Sequence, residues 1–162
     1  MTQLSGTVQQ YQGRTIDYLA FDDAKATGDA LLSQLLVKPG QSGAIITGIQ
    51  KLVQRFLLEL LTEAGSLTYQ PQRGCFFITE IRAGLVNTSA SLFSAFSAAE
   101  SDIRDNLRNE DKFSDPDDER YQRSTLLSAS LSGDRAILNI RVLSVAGESR
   151  DVIFPLRVSA EI

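Results

Sequence analysis

The chain has 162 residues, 43% of them hydrophobic and 22% charged, which suits one globular domain with an arm and excludes wholesale disorder. It has no histidine and a single cysteine, Cys75, so Ser-His-Asp and Cys-His catalysis, histidine-bearing zinc sites and an internal disulfide are ruled out. Sixteen basic against twenty acidic residues leave a net charge of −4, which lacks the global basic field of a nucleic-acid binder.

The lone cysteine points to a reducing cytosol or an assembly built there. Met1-Thr2-Gln3-Leu4 carries no basic n-region, so no secretory signal is expected. The longest apolar stretch, Phe56 to Leu61, is broken by Glu59 and falls far short of the roughly 20 residues that span a membrane. Neither nucleic acid nor membrane is an expected partner.

In chain order, Thr7 to Tyr11 and Thr15 to Leu19 flank Gln12-Gly13-Arg14, a pattern for a hairpin or an extended arm. Ala30 to Val37 is apolar but too short to separate helix from buried strand, and Lys38-Pro39-Gly40-Gln41-Ser42-Gly43 ends it with turn chemistry. Residues 1–43 therefore read as arm or hairpin plus linker, and 44–162 as the folded domain.

Ala44 to Leu61 predicts a helix, because Ile45, Ile49, Leu52, Val53, Phe56, Leu57, Leu60 and Leu61 recur at three- and four-residue intervals. Gln50, Lys51, Gln54, Arg55 and Glu59 fall on its polar side. Leu58, off the stripe, is assigned to the core, and Gly65 supplies the left-handed stop. After a turn-rich connection through Gly74 comes a short apolar piece, Phe76 to Ile81. From about Thr88 to Asn109, the residues Leu92, Phe93, Phe96, Ala99, Ile103 and Leu107 predict a second amphipathic helix.

Residues 100–119 hold nine acids and three bases, a net of −6, so the remainder of the chain carries +2. The part beyond Asn109 contains Pro116 and reads as a solvated loop. The last forty residues switch to strand periodicity. Leu127, Ala129 and Leu131 alternate, Ala136 to Val145 is β-rich, and Val152, Phe154, Leu156 and Val158 share one face of a final strand. Pro155 places that strand at an edge or in a bulge. The fold class is α+β: two main amphipathic helices packed on a C-terminal three-stranded antiparallel meander, with the N-terminal hairpin or arm.

Without histidine, an enzyme would have to work through carboxylates, and Glu59, Glu63 and Glu80 are the acids nearest apolar sequence. A carboxylate-dependent hydrolase of cell-wall glycans is the alternative they define. Asp115-Pro116-Asp117-Asp118-Glu119 lacks EF-hand spacing and its glycine, so no metal is expected there, and no cofactor motif occurs. Cys75, followed by two phenylalanines, reads as a small buried thiol. Arg120, Tyr121 and Arg123 are interface anchors in one reading, with an intramolecular Glu-Arg pair as the other.

Three segments, Leu60-Leu61-Thr62-Glu63-Ala64-Gly65-Ser66, Tyr69-Gln70-Pro71-Gln72-Arg73-Gly74 and Asp118-Glu119-Arg120-Tyr121, lie in that order between the helices and the meander. In this the chain resembles the GPW-type baseplate wedge family of contractile-tailed phages, also represented in type VI secretion baseplates, over about Ala44 to Val158. The resemblance implies a non-enzymatic virion protein of the tail baseplate, assembled in the host cytoplasm. It would be present in six copies or a multiple, bind other wedge proteins and offer a platform to the first ring of tail sheath protein. The family's Glu-Pro-Arg signature, which contacts a neighbouring wedge bundle, maps onto Glu119 and Arg120, with no proline between them here. A Gly-Glu-Arg after the first helix is replaced by Gly65-Ser66-Leu67. The expected partner-binding residues are Glu119, Arg120, Tyr121, Arg123, Val152, Phe154, Leu156 and Val158. A generic tail or head completion adaptor is a further alternative. The terminal edge strand suits strand exchange with a neighbouring chain, and the N-terminal segment would be an arm that orders only in the assembly.

Overall fold

The computed structural model describes residues 13–18, 45–133 and 135–157. Along the chain these form β1 (Asp17–Tyr18), β2 (Ile45–Ile46), α1 (Gly48–Leu61), α2 (Phe77–Arg82), α3 (Ser89–Glu110), β3 (Tyr121–Ser132), β4 (Arg135–Ser144) and β5 (Ser149–Arg157). The architecture is α+β. β3, β4 and β5 make an antiparallel meander in that order, and β1 pairs antiparallel with β2 in a separate two-stranded ribbon. α3 packs along β3, and α1 packs on β4 and β5.

α1 begins at Gly48 rather than at Ala44, because Ile45 and Ile46 are taken by the pairing with Tyr18 and Asp17. At about 100° per residue, Leu52, Val53, Phe56, Leu57 and Leu60 fill one arc of the helix, and all are buried. Leu58 stands about 180° from the centre of that arc and is 42% exposed, not core. Glu59 lies at the margin of the same arc, next to Leu52, and only 1% of it is exposed; the sequence expectation of a polar-side position is overturned.

Thr88 and Ser91 cap α3 reciprocally: the Ser91 N–H donates to Thr88 Oγ1 and the Thr88 N–H to Ser91 Oγ, each at 3.0 Å. Leu92, Ala95, Phe96, Ala99, Ile103 and Leu107 form its buried stripe, with Ala95 and not the 41%-exposed Phe93 on the inner face. The short apolar piece near Phe76 is α2, which inserts Phe77 edge-on against Phe96, centroids 6.3 Å apart at 89°. Phe56 stacks on Tyr121 at 6.2 Å and 4°, and lies 6.4 Å from Phe96, so four aromatic rings join helices to sheet.

β4 is the central strand. Its inward residues Ala136, Leu138, Ile140 and Val142 are fully buried, each large one contributing roughly 1.5–3 kcal/mol of apolar burial. Register slips between Tyr121 and Arg123 and between Leu126 and Ser128 insert Gln122 and Leu127 as extra residues in β3. That is why Leu127 is 39% exposed and does not alternate inward with Ala129 and Leu131. The β4–β5 register runs without a slip, so Pro155, opposite Ile137, sits on an edge strand and not in a bulge. The pairing of Thr7–Tyr11 and the character of Ala30–Val37 fall outside the described residues.

Candidate functional site

The acidic segment after α3 is built into the body. Asp111 Oδ1 accepts from Arg55 Nη1 at 2.8 Å and its Oδ2 accepts the Tyr121 N–H at 2.7 Å, while the same Arg55 nitrogen donates to the Glu119 carbonyl at 3.1 Å. The first turn of α1 lacks a side-chain cap of its own, since Thr47 makes none. Glu119 supplies it from 71 residues away: Oε1 accepts the Gly48 N–H at 3.2 Å. A carboxylate is the favoured group at a helix N-terminus, where the backbone donors are unpaired. Oε2 of Glu119 lies 3.4 Å from Lys51 Nζ and accepts the Thr15 hydroxyl.

Residues 13–18 thus lie against the body. Arg14 Nη1 is 2.5 Å from Asp118 Oδ2, and Gln54 Nε2 donates to Asp17 Oδ2 at 3.0 Å. These residues are engaged within the single chain, unlike an arm that waits for assembly.

This geometry corrects several expected anchors. Glu119 is 2% and Tyr121 1% exposed, so neither side chain is presented to a neighbour. Tyr121 has its hydroxyl 3.1 Å from Glu100 Oε1 and 2.9 Å from Ser124 Oγ, and burial pushes that phenol well above the usual tyrosine range. Glu119 and Arg120 do not pair. Arg120 turns to Asp117 at 2.6 Å, with its guanidinium 6.0 Å from the ring centroid of Phe113. Asp115 caps the Lys112 N–H at 2.9 Å, so the run Asp115 to Glu119 diverges instead of converging on one point. Arg123 is exposed.

Val152, Phe154 and Leu156 do share one face of β5, but it is the core face: Val152 and Leu156 are buried and Phe154 packs against them half-buried. The side chains of Val152 and Leu156 are not free to contact a partner. Val158 lies outside the described residues. What β5 offers outward is main chain. The Ser144 N–H donates to the Glu148 carbonyl at 2.9 Å, which fixes the alternation of the antiparallel ladder. Even-numbered residues of β5 then exchange bonds with β4. The odd ones, Ser149, Asp151, Ile153 and Arg157, turn N–H and C=O to the outer edge, and Pro155 turns its carbonyl alone. Among the described residues no strand pairs with that edge. Beside it Asp151 and Arg141, directly opposed across the strands, make a two-pronged ion pair at 2.6 and 2.7 Å that holds the Asp151 carboxyl below its ordinary range.

The carboxylates considered for hydrolysis are placed apart in role. Both oxygens of Glu59 are engaged, Oε2 by the Gly74 N–H at 2.9 Å and Asn106 Nδ2 at 3.1 Å, and Oε1 by Arg73. Glu63 pairs with Arg82 at 2.6 Å. Arg73 also reaches Glu110, so the 66–73 loop is tied to the C-terminal end of α3. Gly74 has φ 83°, and a Cβ there would overlap the Thr62 carbonyl.

Cys75 is fully buried beside the Leu60 carbonyl, and burial pushes its thiol up to about 11. Its protonated form is thereby favoured in the folded state, so its stabilisation is complete below the ordinary value near 9 and is lost as pH rises toward 11. Urea titrations should show unfolding free energy falling from pH 9 to 11, with the early part of that fall absent in Cys75→Ala. An unchanged slope in the variant refutes the assignment.

Sequence reasoning passed over Thr15, Lys51, Arg55, Arg73 and Asn106 as site residues. Their partners lie 14 or more positions away in the chain, and no local spacing announces them. Among the described residues no group of three or more His, Cys, Asp or Glu is placed to hold a metal ion, and no helix is long and apolar enough to cross a membrane. In three comparisons, with family models, with curated proteins and with solved structures, this chain found no match.

Proposed function

We propose that this chain is a structural component of a contractile-tail baseplate wedge, present in six copies or a multiple, which binds neighbouring wedge subunits and provides the platform for the first sheath ring. The outer edge of β5 carries the proposal: a row of main-chain donors and acceptors, interrupted once at Pro155, flanked by the exposed Ile153. The resemblance of the segments Leu60–Ser66, Tyr69–Gly74 and Asp118–Tyr121 to the wedge family supports it. Recognition on this reading runs through backbone pairing at β5 and exposed groups such as Arg123, while Glu119 and Tyr121 hold the platform's own shape.

A substitution at Ile153 tests the edge. Its N–H points away from β4, so Ile153→Pro removes an outward donor without deleting a ladder bond. Ile153→Pro should abolish capture of sheath protein by baseplates while the urea midpoint stays near that of the parent, and Ile153→Ala, which keeps the donor, should still capture sheath. Equal capture by both refutes the edge as the contact. A particle map of the contractile tail should place six copies, or a multiple, where baseplate meets sheath. Murein cleavage by the purified chain would instead favour the hydrolase, and a location at another tail or head joint the adaptor.

A further inference from the structure

The meander has two edges, and they are finished differently. At the start of β3 the outer main-chain groups are met by side chains of α3 and of the residue after it. Asp111 Oδ2 accepts the Tyr121 N–H at 2.7 Å, Arg108 Nη2 donates to the Gln122 carbonyl at 2.8 Å, and Glu100 Oε1 lies 3.5 Å from the Ser124 N–H. Further on, the extra residue Leu127 bends the same strand, and an edge that is covered and then bulged does not accept a straight partner strand. β5 has no such finish. Its register with β4 runs without a slip, and among the described residues nothing bonds to the outer main chain of Asp151, Ile153 or Pro155.

Joining β5 of one copy to β3 of the next would propagate as an open filament, and the covered β3 edge opposes it. β5 against β5 closes after two copies. Around a twofold axis the two strands run antiparallel, and only residues that turn main chain outward exchange bonds, so odd-numbered positions must oppose odd-numbered ones. Centred on Ile153, all five outward positions are opposed: Ser149 to Arg157, Asp151 to Pro155, and Ile153 to its own counterpart, with each Pro155 costing one bond. Centring on Asp151 sets two carboxylates face to face, and centring on Pro155 sets two donorless residues face to face. The shifts between these leave Ser149 or Arg157 of each strand without a counterpart.

The side chains agree with the Ile153 register. Ile153 is 60% exposed, and Ile137 beside it on the outer face is 49% exposed, so the axis brings two exposed isoleucines together over the sheet. On the inner face Val152 comes opposite Phe154 of the second copy, a close pair without mutual hydrogen bonds that covers the half-buried ring.

We propose that the β5 edge pairs with the β5 edge of a second copy of this chain, antiparallel about Ile153, so that two three-stranded meanders become one continuous sheet across a twofold dimer. A second copy is selected because this edge complements itself. No like charges are opposed, both faces bring apolar side chains together, and both open edges are covered at once. The inference concerns the free chain and does not need the baseplate reading; where that reading also holds, a sheath strand takes the place of the second copy.

The full chain, purified alone, should sediment at equilibrium with twice the 17.7 kDa of one chain at micromolar concentration. Ile153→Pro should sediment as a single chain with its circular dichroism unchanged. Cysteine substitution reads the register independently, should proline disturb the strand. Opposed residues of a hydrogen-bonded antiparallel pair stand about 5.5 Å apart between Cα atoms, within disulfide reach, and residues off that register do not. Under mild oxidation Ile153→Cys should run as a covalent dimer on a non-reducing gel. Asp151→Cys alone should not, while Asp151→Cys mixed with Pro155→Cys should; Cys75 is fully buried and takes no part. A parent chain that sediments singly, a dimer that survives in folded Ile153→Pro, or cross-linking of Asp151→Cys to itself in place of Ile153→Cys overturns the proposal. A parent that sediments singly while Ile153→Pro still abolishes sheath capture sinks the dimer and leaves the baseplate reading standing. An Ile153→Pro variant that loses the dimer yet captures sheath does the reverse.

Discussion

Glu59→Ala lowers the free energy of unfolding by about 3–5 kcal/mol in urea titrations followed by circular dichroism, the loss expected when one member of a buried, hydrogen-bonded ion pair is deleted. The carboxylate is 1% exposed and accepts from the Gly74 N–H, from Asn106 and from Arg73. Its removal leaves three donors facing a cavity, and Arg73 keeps only Glu110. The damage is local in origin but not in extent, because these bonds fasten the 66–73 loop to both α1 and α3. Glu59→Gln retains an acceptor for the Gly74 N–H and should lose about 1–2 kcal/mol. A Glu59→Ala protein within about 1 kcal/mol of the parent would falsify the assignment of this carboxylate as the loop's fastening.

Phe56→Ala should cost a similar amount, about 3–5 kcal/mol by the same titration, through the cavity it leaves. Phe56 is fully buried, stacked on Tyr121 and tilted against Phe96, which in turn receives Phe77 edge-on. The three described helices and the first strand of the meander therefore meet in one cluster of four rings, with Phe56 and Phe96 at its middle. Phe113→Ala makes the contrast, since that side chain is 98% exposed and its loss should stay within about 0.5 kcal/mol. Similar losses at the two positions would mean that the aromatic cluster is not the centre of the core.

Elements governed by near neighbours were legible in the sequence. The stripes of α1 and α3, the Thr88 cap, the meander and the edge position of Pro155 all follow from spacing of two, three or four residues. Three-dimensional pairing was not legible. Glu59 sits beside Leu52 on the helix, but nothing nearby in the chain reveals the Gly74 and Arg73 that make its burial tolerable. Glu119 is an expected anchor through the resemblance to the wedge family, and Tyr121 through its place between Arg120 and Arg123 where the acidic loop gives way to strand. The Gly48 N–H and the Phe56 ring that draw them inward are 71 and 65 positions away. The face shared by Val152, Phe154 and Leu156 was read correctly as a face, yet period-two alternation cannot tell a core from a contact surface. Leu127 fell outside its alternation because a bulge is decided by the partner strand.

The cap on α1 has a cost during synthesis. Gly48 leaves the ribosome 71 residues before the glutamate that satisfies its N–H, an interval of roughly 4–14 s at about 5–20 residues per second. Throughout it Leu52, Phe56 and Leu60 have no β4 or β5 to lie against, so the half-made polypeptide leaves their apolar surface uncovered by its own sheet. Translation that stalls before codon 119 should yield an insoluble fragment rather than a folded helical half.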